Sequence, residues 1–144
     1  MAHQWWAVLV GIRSWSDFWL NEGLTEFMTA AFVEHHSGRA AYDAKMRKLR
    51  EEMEKLRAEG KDRPLHWERW KDAVDALGPV PYRKGALFLD HLRTELGDAP
   101  FWRGIALYTR RHAGKLVDSR DFQHAMEEAA GRPLTALFDE GVYR

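Results

Sequence analysis

The chain is expected to be all-α, a single domain over residues 1–144 built from six or seven helices. Three observations point there. Apolar residues recur at spacings of three and four along most of the chain, the period of a helix face. Glycines and cap-type residues punctuate those stretches at helix length. No segment shows the strict alternation of a half-buried strand.

Taken in order, residues 1–10 read as one end of a helix that stops at Gly11. From about Asn21 to His36, the residues Leu20, Leu24, Phe27, Met28, Ala31 and Phe32 fall on one face, and Gly38 closes the helix. Residues 40–59 make a more charged helix with a narrow stripe of Tyr42, Met46, Leu49, Met53 and Leu56. Glu51 and Lys55 have the favourable i,i+4 order there. The stretch GKDRPLHWERWKDAVDALGPVP reads as a connection with a short helix around Trp67 to Leu77. A helix from about Tyr82 to Leu96 points Ala86, Leu89, Leu92 and Leu96 inward and ends at Gly97. Another covers Pro100 to His112. The caps in DSRDF start a helix from about Arg120 to Ala130 that Gly131 ends, and Pro133 opens the last one.

Composition narrows the chemistry. Lys+Arg and Asp+Glu balance at 22 each, so charge points to neither nucleic acid nor an anionic membrane. With no cysteine, disulfides and thiolate ligands are excluded, and any zinc must use His, Asp or Glu. No apolar run approaches the roughly 18–20 residues of a membrane span, and no basic-then-apolar leader opens the chain. A soluble, cytoplasmic protein is the expectation. Four of the seven tryptophans, Trp5, Trp6, Trp15 and Trp19, crowd the first 19 residues. Such density implies a large buried surface, or one that a partner covers.

His3 and Glu22 stand 19 residues apart. One class of zinc peptidase places H-E-x-x-H on one helix and a third ligand, Glu, on the next. Two His at i,i+4 share a face, the Glu beside the first is the general base, and the second Glu completes the donor set. In this chain AHQWW surrounds His3, WLNEG surrounds Glu22, and VPYRKGALFLDHL follows downstream. Together these strings resemble the membrane alanine aminopeptidase type of zinc peptidase, in the gluzincin clan. The likeness runs on through LRTELGDAPFWRGIALYTRRHAG and DFQHAMEEAAGRPLTALFDEGVYR, nearly to the end of the chain.

The resemblance implies the helical lobe of a thermolysin-like catalytic domain. It implies zinc held by His3 and Glu22, a peptide substrate cut at its N-terminal bond, and Tyr82 as stabiliser of the oxyanion. Glu26, four residues beyond Glu22, is either a carboxylate that orients a ligand His or part of a plain polar face. By the family pattern the first zinc His and the catalytic Glu would fall before Met1, as would the Gly-x-Met-Glu-Asn strand that binds the substrate's amino group. The chain alone is therefore expected to be inactive, with zinc weak or absent. Ala7 stands where the family commonly has Gly, Val8 where it often has Asn, and Gly141 where an aromatic usually stands. His35 and His36 suit a helix C-terminus and are not read as a ligand pair, and His66, His91, His112 and His124 have no partner at ligand spacing. A second reading is a non-catalytic helical interaction module of peptidase ancestry. Its exposed Trp-rich face would favour homo-oligomers or a swap of the N-terminal helix between copies.

Overall fold

Seven helices and one small sheet make up the structure, a computed structural model that describes residues 2–144. The helices are α1 (Trp19–Ser37), α2 (Arg39–Ala58), α3 (Ala73–Ala76), α4 (Pro79–Leu96), α5 (Asp98–Arg111), α6 (Ser119–Ala130) and α7 (Thr135–Gly141). Strands β1 (Val10–Ile12) and β2 (Lys115–Val117) pair in parallel, Val10 opposite Lys115 and Ile12 opposite Val117. The chain is thus predominantly helical, as the residue pattern indicates.

Helix ends follow local chemistry. Gly38 turns at φ 86° and closes α1 through its N–H to the Glu34 carbonyl. Proline at the start of α4 needs no helical donor there. At α6 a capping box forms: the Asp118 side chain accepts from the Asp121 N–H, and the Asp121 side chain accepts from the Asp118 N–H. Gly131 ends that helix in the left-handed region.

On α1 the buried face is Leu20, Leu24, Phe27 and Ala30, whereas Phe32, expected inward, is 66% exposed. The period was right and the face was turned, because α4 packs against the side that carries Gly23. On α2 the stripe Tyr42, Met46, Leu49 and Met53 is buried as expected, with Leu56 partly covered.

Residues 2–10 depart from the expected helix, and Met1 lies outside the described residues. A short 3-10 turn covers Ala2–Gln4, and the next bonds, Val8 N–H to the His3 carbonyl and Val10 N–H to the Trp5 carbonyl, reach back five residues. Tertiary partners explain the change. The Trp6 indole N–H donates to Thr109 Oγ1 at 3.3 Å, and Val10 is drawn into β1. Strands of three residues are too short for alternation to register in the sequence. Ala7 accommodates this turn at φ 132°, a region that side-chain-bearing residues avoid. Ala7→Gly is therefore expected to stabilise the chain by about 1 kcal/mol, since relief of strain exceeds the added chain entropy. A melting temperature lowered by this substitution would count against the strain.

The expected helix over 67–77 shrinks to Ala73–Ala76, because residues 62–70 are held as an irregular strap. The Trp67 N–H donates to the Ser16 carbonyl at 3.0 Å, the Trp70 indole to the Trp15 carbonyl at 3.0 Å, and the His66 N–H to the Val142 carbonyl at 2.9 Å.

Candidate metal and catalytic site

α1 and α4 form the frame of the site. They meet where each carries a glycine: a Cβ added to Gly23 would stand 2.8 Å from the Gly85 Cα, and one added to Gly85 would stand 2.8 Å from the Gly23 Cα. Glycine alone lets two helix backbones approach so closely. Glu22 immediately precedes Gly23, and Tyr82 lies about one turn before Gly85. Close approach of the backbones is thus what brings the carboxylate and the phenol together.

The first turn of α1 is held from behind. Asp17, only 3% exposed, accepts at one oxygen from the Ser119 hydroxyl at 2.5 Å and the Ser119 N–H at 3.2 Å. The His66 ring nitrogen Nδ1 approaches the same oxygen at 3.0 Å. Sequence spacing showed no partner for His66, since its partner is 49 residues away and on another element. Trp19, fully buried, donates its indole N–H to the Ser119 hydroxyl at 2.9 Å.

Glu22 is 7% exposed and points at His3, whose Nε2 lies 3.4 Å from Glu22 Oε2. That Oε2 has no hydrogen-bond partner in the structure. Burial pushes the Glu22 carboxyl above its ordinary value, with His3 and Tyr82 pulling the other way. Tyr82 is pushed up to about 12, first by burial and then by the neighbouring Glu22. Its ring meets Phe18 edge-on, with centroids 6.4 Å apart.

The other face of His3 is met by Thr25, whose hydroxyl lies 3.3 Å from Nδ1 and itself donates to the Asn21 carbonyl at 2.8 Å. The Trp6 carbonyl stands 3.4 Å from the same Nδ1. Thr25 was missed from sequence, and its one signal was its place three residues after Glu22 on a helix. Glu26 turns instead to α2 and accepts from Lys45 at 2.8 Å. The two residues that follow Tyr82 are also tied down. Arg83 pairs with Glu52, and Lys84 donates to Asp62 at 3.0 Å and to the Arg63 carbonyl at 2.7 Å. Burial works to raise the Asp62 carboxyl, and Lys84 and Arg57 outweigh it, leaving Asp62 below its ordinary value.

His3 Nε2 and Glu22 Oε2 are therefore held within 3.4 Å of each other. In a tetrahedral site with bonds of about 2.0–2.1 Å, neighbouring donor atoms stand roughly 3.3 Å apart. The 3.4 Å separation of His3 Nε2 and Glu22 Oε2 matches that edge. An Oε2 that is buried without a hydrogen-bond partner fits a position where a cation would bind. Among the described residues, no group of three or more His, Cys, Asp or Glu converges as a metal site, so the fit is to two corners.

Residues 1–140 match the family model described as Peptidase family M1 domain. Leucine aminopeptidase 2 of Aspergillus oryzae is 34% identical over 142 residues, covering 94% of this chain and 23% of its own length. Aminopeptidase M1 of Arabidopsis thaliana is 28% identical over 141 residues, covering 95% of this chain and 16% of its own. Among solved structures, native yeast LTA4 hydrolase superposes with a TM-score of 0.87 at 28% identity, over 99% of this chain and 25% of that one. An M1 zinc metallopeptidase from Deinococcus radiodurans shares the fold with a TM-score of 0.84 at 24% identity, over 98% of this chain and 30% of that one. The chain spans 23% or less of the length of the two curated relatives.

Proposed function

This chain belongs to peptidase family M1, and we propose that it is the metal-binding helical part of a zinc aminopeptidase in which His3 and Glu22 are zinc donors and Tyr82 stabilises the oxyanion. The observation that carries this reading is the buried, unpartnered Oε2 of Glu22 facing His3 Nε2 at 3.4 Å.

When bound in such a site, zinc polarises the peptide carbonyl and makes its water acidic near neutral pH. The chain's own residues supply the setting. Thr25 contacts His3 on Nδ1, which leaves Nε2 directed at the metal position. The α1–α4 crossing holds the Glu22 carboxylate rigidly beside it. Tyr82, its proton retained by a pKa of about 12, is able to donate a hydrogen bond to negative charge that develops on a carbonyl oxygen. Lys84 and Arg83, anchored to the strap and to α2, fix the turn of α4 that presents Tyr82.

A catalytic zinc site uses three protein donors. Two are brought together in this chain, so peptide hydrolysis requires a third donor and a general base beside His3 and Glu22. The second reading, a helical interaction module, is favoured by one observation. An apolar groove of about 750 Å³ opens between α1 and α5, lined by Trp5, Met28, Phe32, Trp102 and Ile105. No helix among the described residues is long and apolar enough to cross a membrane.

Calorimetric titration of the metal-stripped chain with zinc tests the site. Glu22→Ala is expected to weaken binding more than the roughly 10–100-fold typical of losing a group outside the donor set, while Tyr82→Phe leaves it unchanged. Equal zinc binding by the chain and by Glu22→Ala would overturn the donor assignment.

A further inference from the structure

A cavity of about 320 Å³ opens between α1, α2 and α4, and Tyr82 forms part of its wall. It starts about one helical turn from the donor pair, since Glu26, four residues after Glu22, also lines it. Three cations, Lys45, Lys48 and Arg83, share that wall with two carboxylates, Glu26 and Glu52, which leaves one positive charge over. The pairing decides where that charge sits. Lys45 is taken by Glu26 at 2.8 Å. Arg83 meets Glu52 through Nε, which leaves the two terminal nitrogens of its guanidinium, the fork that grips a carboxylate. Lys48 is exposed on α2, one turn from both Lys45 and Glu52, and no carboxylate of the described residues lies within ion-pair distance of it. Its charge reaches the cavity: Glu52 is held below the ordinary carboxylate range, first by Arg83 and also by Lys48 and Lys55. A lone surface lysine is an ordinary solvated group. This one borders a concavity within the roughly 300–1,000 Å³ of small-molecule sites, beside a guanidinium with nitrogens to spare and the phenol that adjoins Glu22.

We propose that this cavity receives a carboxylate of the peptide substrate, held by Lys48 and the terminal nitrogens of Arg83, beside the carbonyl that Tyr82 serves. The proposal deepens the aminopeptidase reading and rests on it, because Tyr82 ties the cavity to the bond being cut. It adds a substrate class, acidic peptides, in which the carboxylate belongs to an acidic side chain or to the C-terminus of a dipeptide. Glu26 and Glu52 offer that carboxylate little opposition, since each is offset by its own cation. A basic side chain in the same place would be repelled by Lys48 and Arg83.

The test is calorimetric titration of the chain with alanyl-glutamate α-amide, alanyl-glutamine, alanyl-glutamine amide and alanyl-lysine amide. One or both of the first two are expected to bind about tenfold or more tightly than neutral alanyl-glutamine amide, the worth of a charge-assisted hydrogen bond. Alanyl-lysine amide should bind no better than the neutral peptide. Preference for alanyl-glutamate α-amide assigns the side-chain carboxylate, and preference for alanyl-glutamine the C-terminal one; either supports the proposal. Lys48→Gln, a change at an exposed position that leaves the circular dichroism unchanged, should remove the preference, and Lys48→Arg should retain it. A purely structural role for Lys48 would not give that pair of results. Equal binding of charged and neutral peptides, no binding of any of them, or an acid preference untouched by Lys48→Gln would overturn the proposal. Zinc titration run in parallel separates it from the donor assignment. Zinc binding without acid preference would overturn the role of the cavity and leave His3 and Glu22 standing as donors. Acid preference that depends on Lys48, without zinc binding, would overturn the donors and leave the carboxylate site standing.

Discussion

Trp19→Ala is expected to lower the unfolding free energy by about 3–5 kcal/mol, the range for emptying a large aromatic from a packed core. Trp19 is fully buried, and its ring meets Phe88 and Phe122 edge-on, with centroids 5.6 and 5.8 Å away. Those two rings lie on α4 and α6, so one indole joins three helices. Its N–H also donates to Ser119, the residue that bonds Asp17 in the turn leading into α1. The loss should appear in urea denaturation as a shifted midpoint with an unchanged slope, since the extent of unfolding is the same. A loss below about 1 kcal/mol would mean the surrounding rings collapse into the space. In contrast, Trp5 and Trp15 are more than half exposed at 54% and 52%, and their replacement should cost far less.

Gly23→Ala and Gly85→Ala are each expected to destabilise the chain by about 1–3 kcal/mol, the usual penalty of overpacking. The sign is informative. In an open helix, alanine in place of glycine stabilises by about 0.8–1.0 kcal/mol, so the clash must first cancel that gain. Here the obstacle is backbone, with the Gly23 Cβ at 2.8 Å from the Gly85 Cα and 3.2 Å from the Pro81 carbonyl oxygen. Backbone cannot rotate away as a side chain does. Forcing the helices apart also moves Tyr82 away from Glu22, so the raised Tyr82 pKa should fall back toward the ordinary phenol value. Ultraviolet titration of the tyrosines, with Tyr82→Phe as reference, reads this directly. The double substitution should cost less than the sum of the singles, because once the helices separate the second methyl meets less. Either single substitution raising the melting temperature would show that the helices part at little cost.

The strings around His3, Glu22 and Tyr82 were legible because each is a short run within one or two elements. Helix count and the α2 stripe were legible for the same reason, as periodicity is a local property. Three things were not. The face of α1 was misjudged at Phe32, since periodicity marks a face and leaves open which neighbour covers it. The strands escaped notice because a three-residue parallel pair draws its bonds from a partner about 100 residues on. The roles of Asp17, His66 and Thr25 stayed hidden because each is defined by a contact across elements.

By itself, then, the sequence determined the helical class and the family, and it singled out His3, Glu22 and Tyr82 as candidates. Tertiary structure decided how close those residues come. The glycines of WLNEG and PYRKG are ordinary letters in two separate helices until α1 crosses α4, when their missing side chains set the distance between Glu22 and Tyr82. It also decided that the oxygen of Glu22 nearest His3 has no hydrogen-bond partner, and that His3 faces solvent. The physical reason is that spacing along a chain is set by covalent geometry and helix pitch, whereas distance between helices is set by which atoms are absent at their crossing.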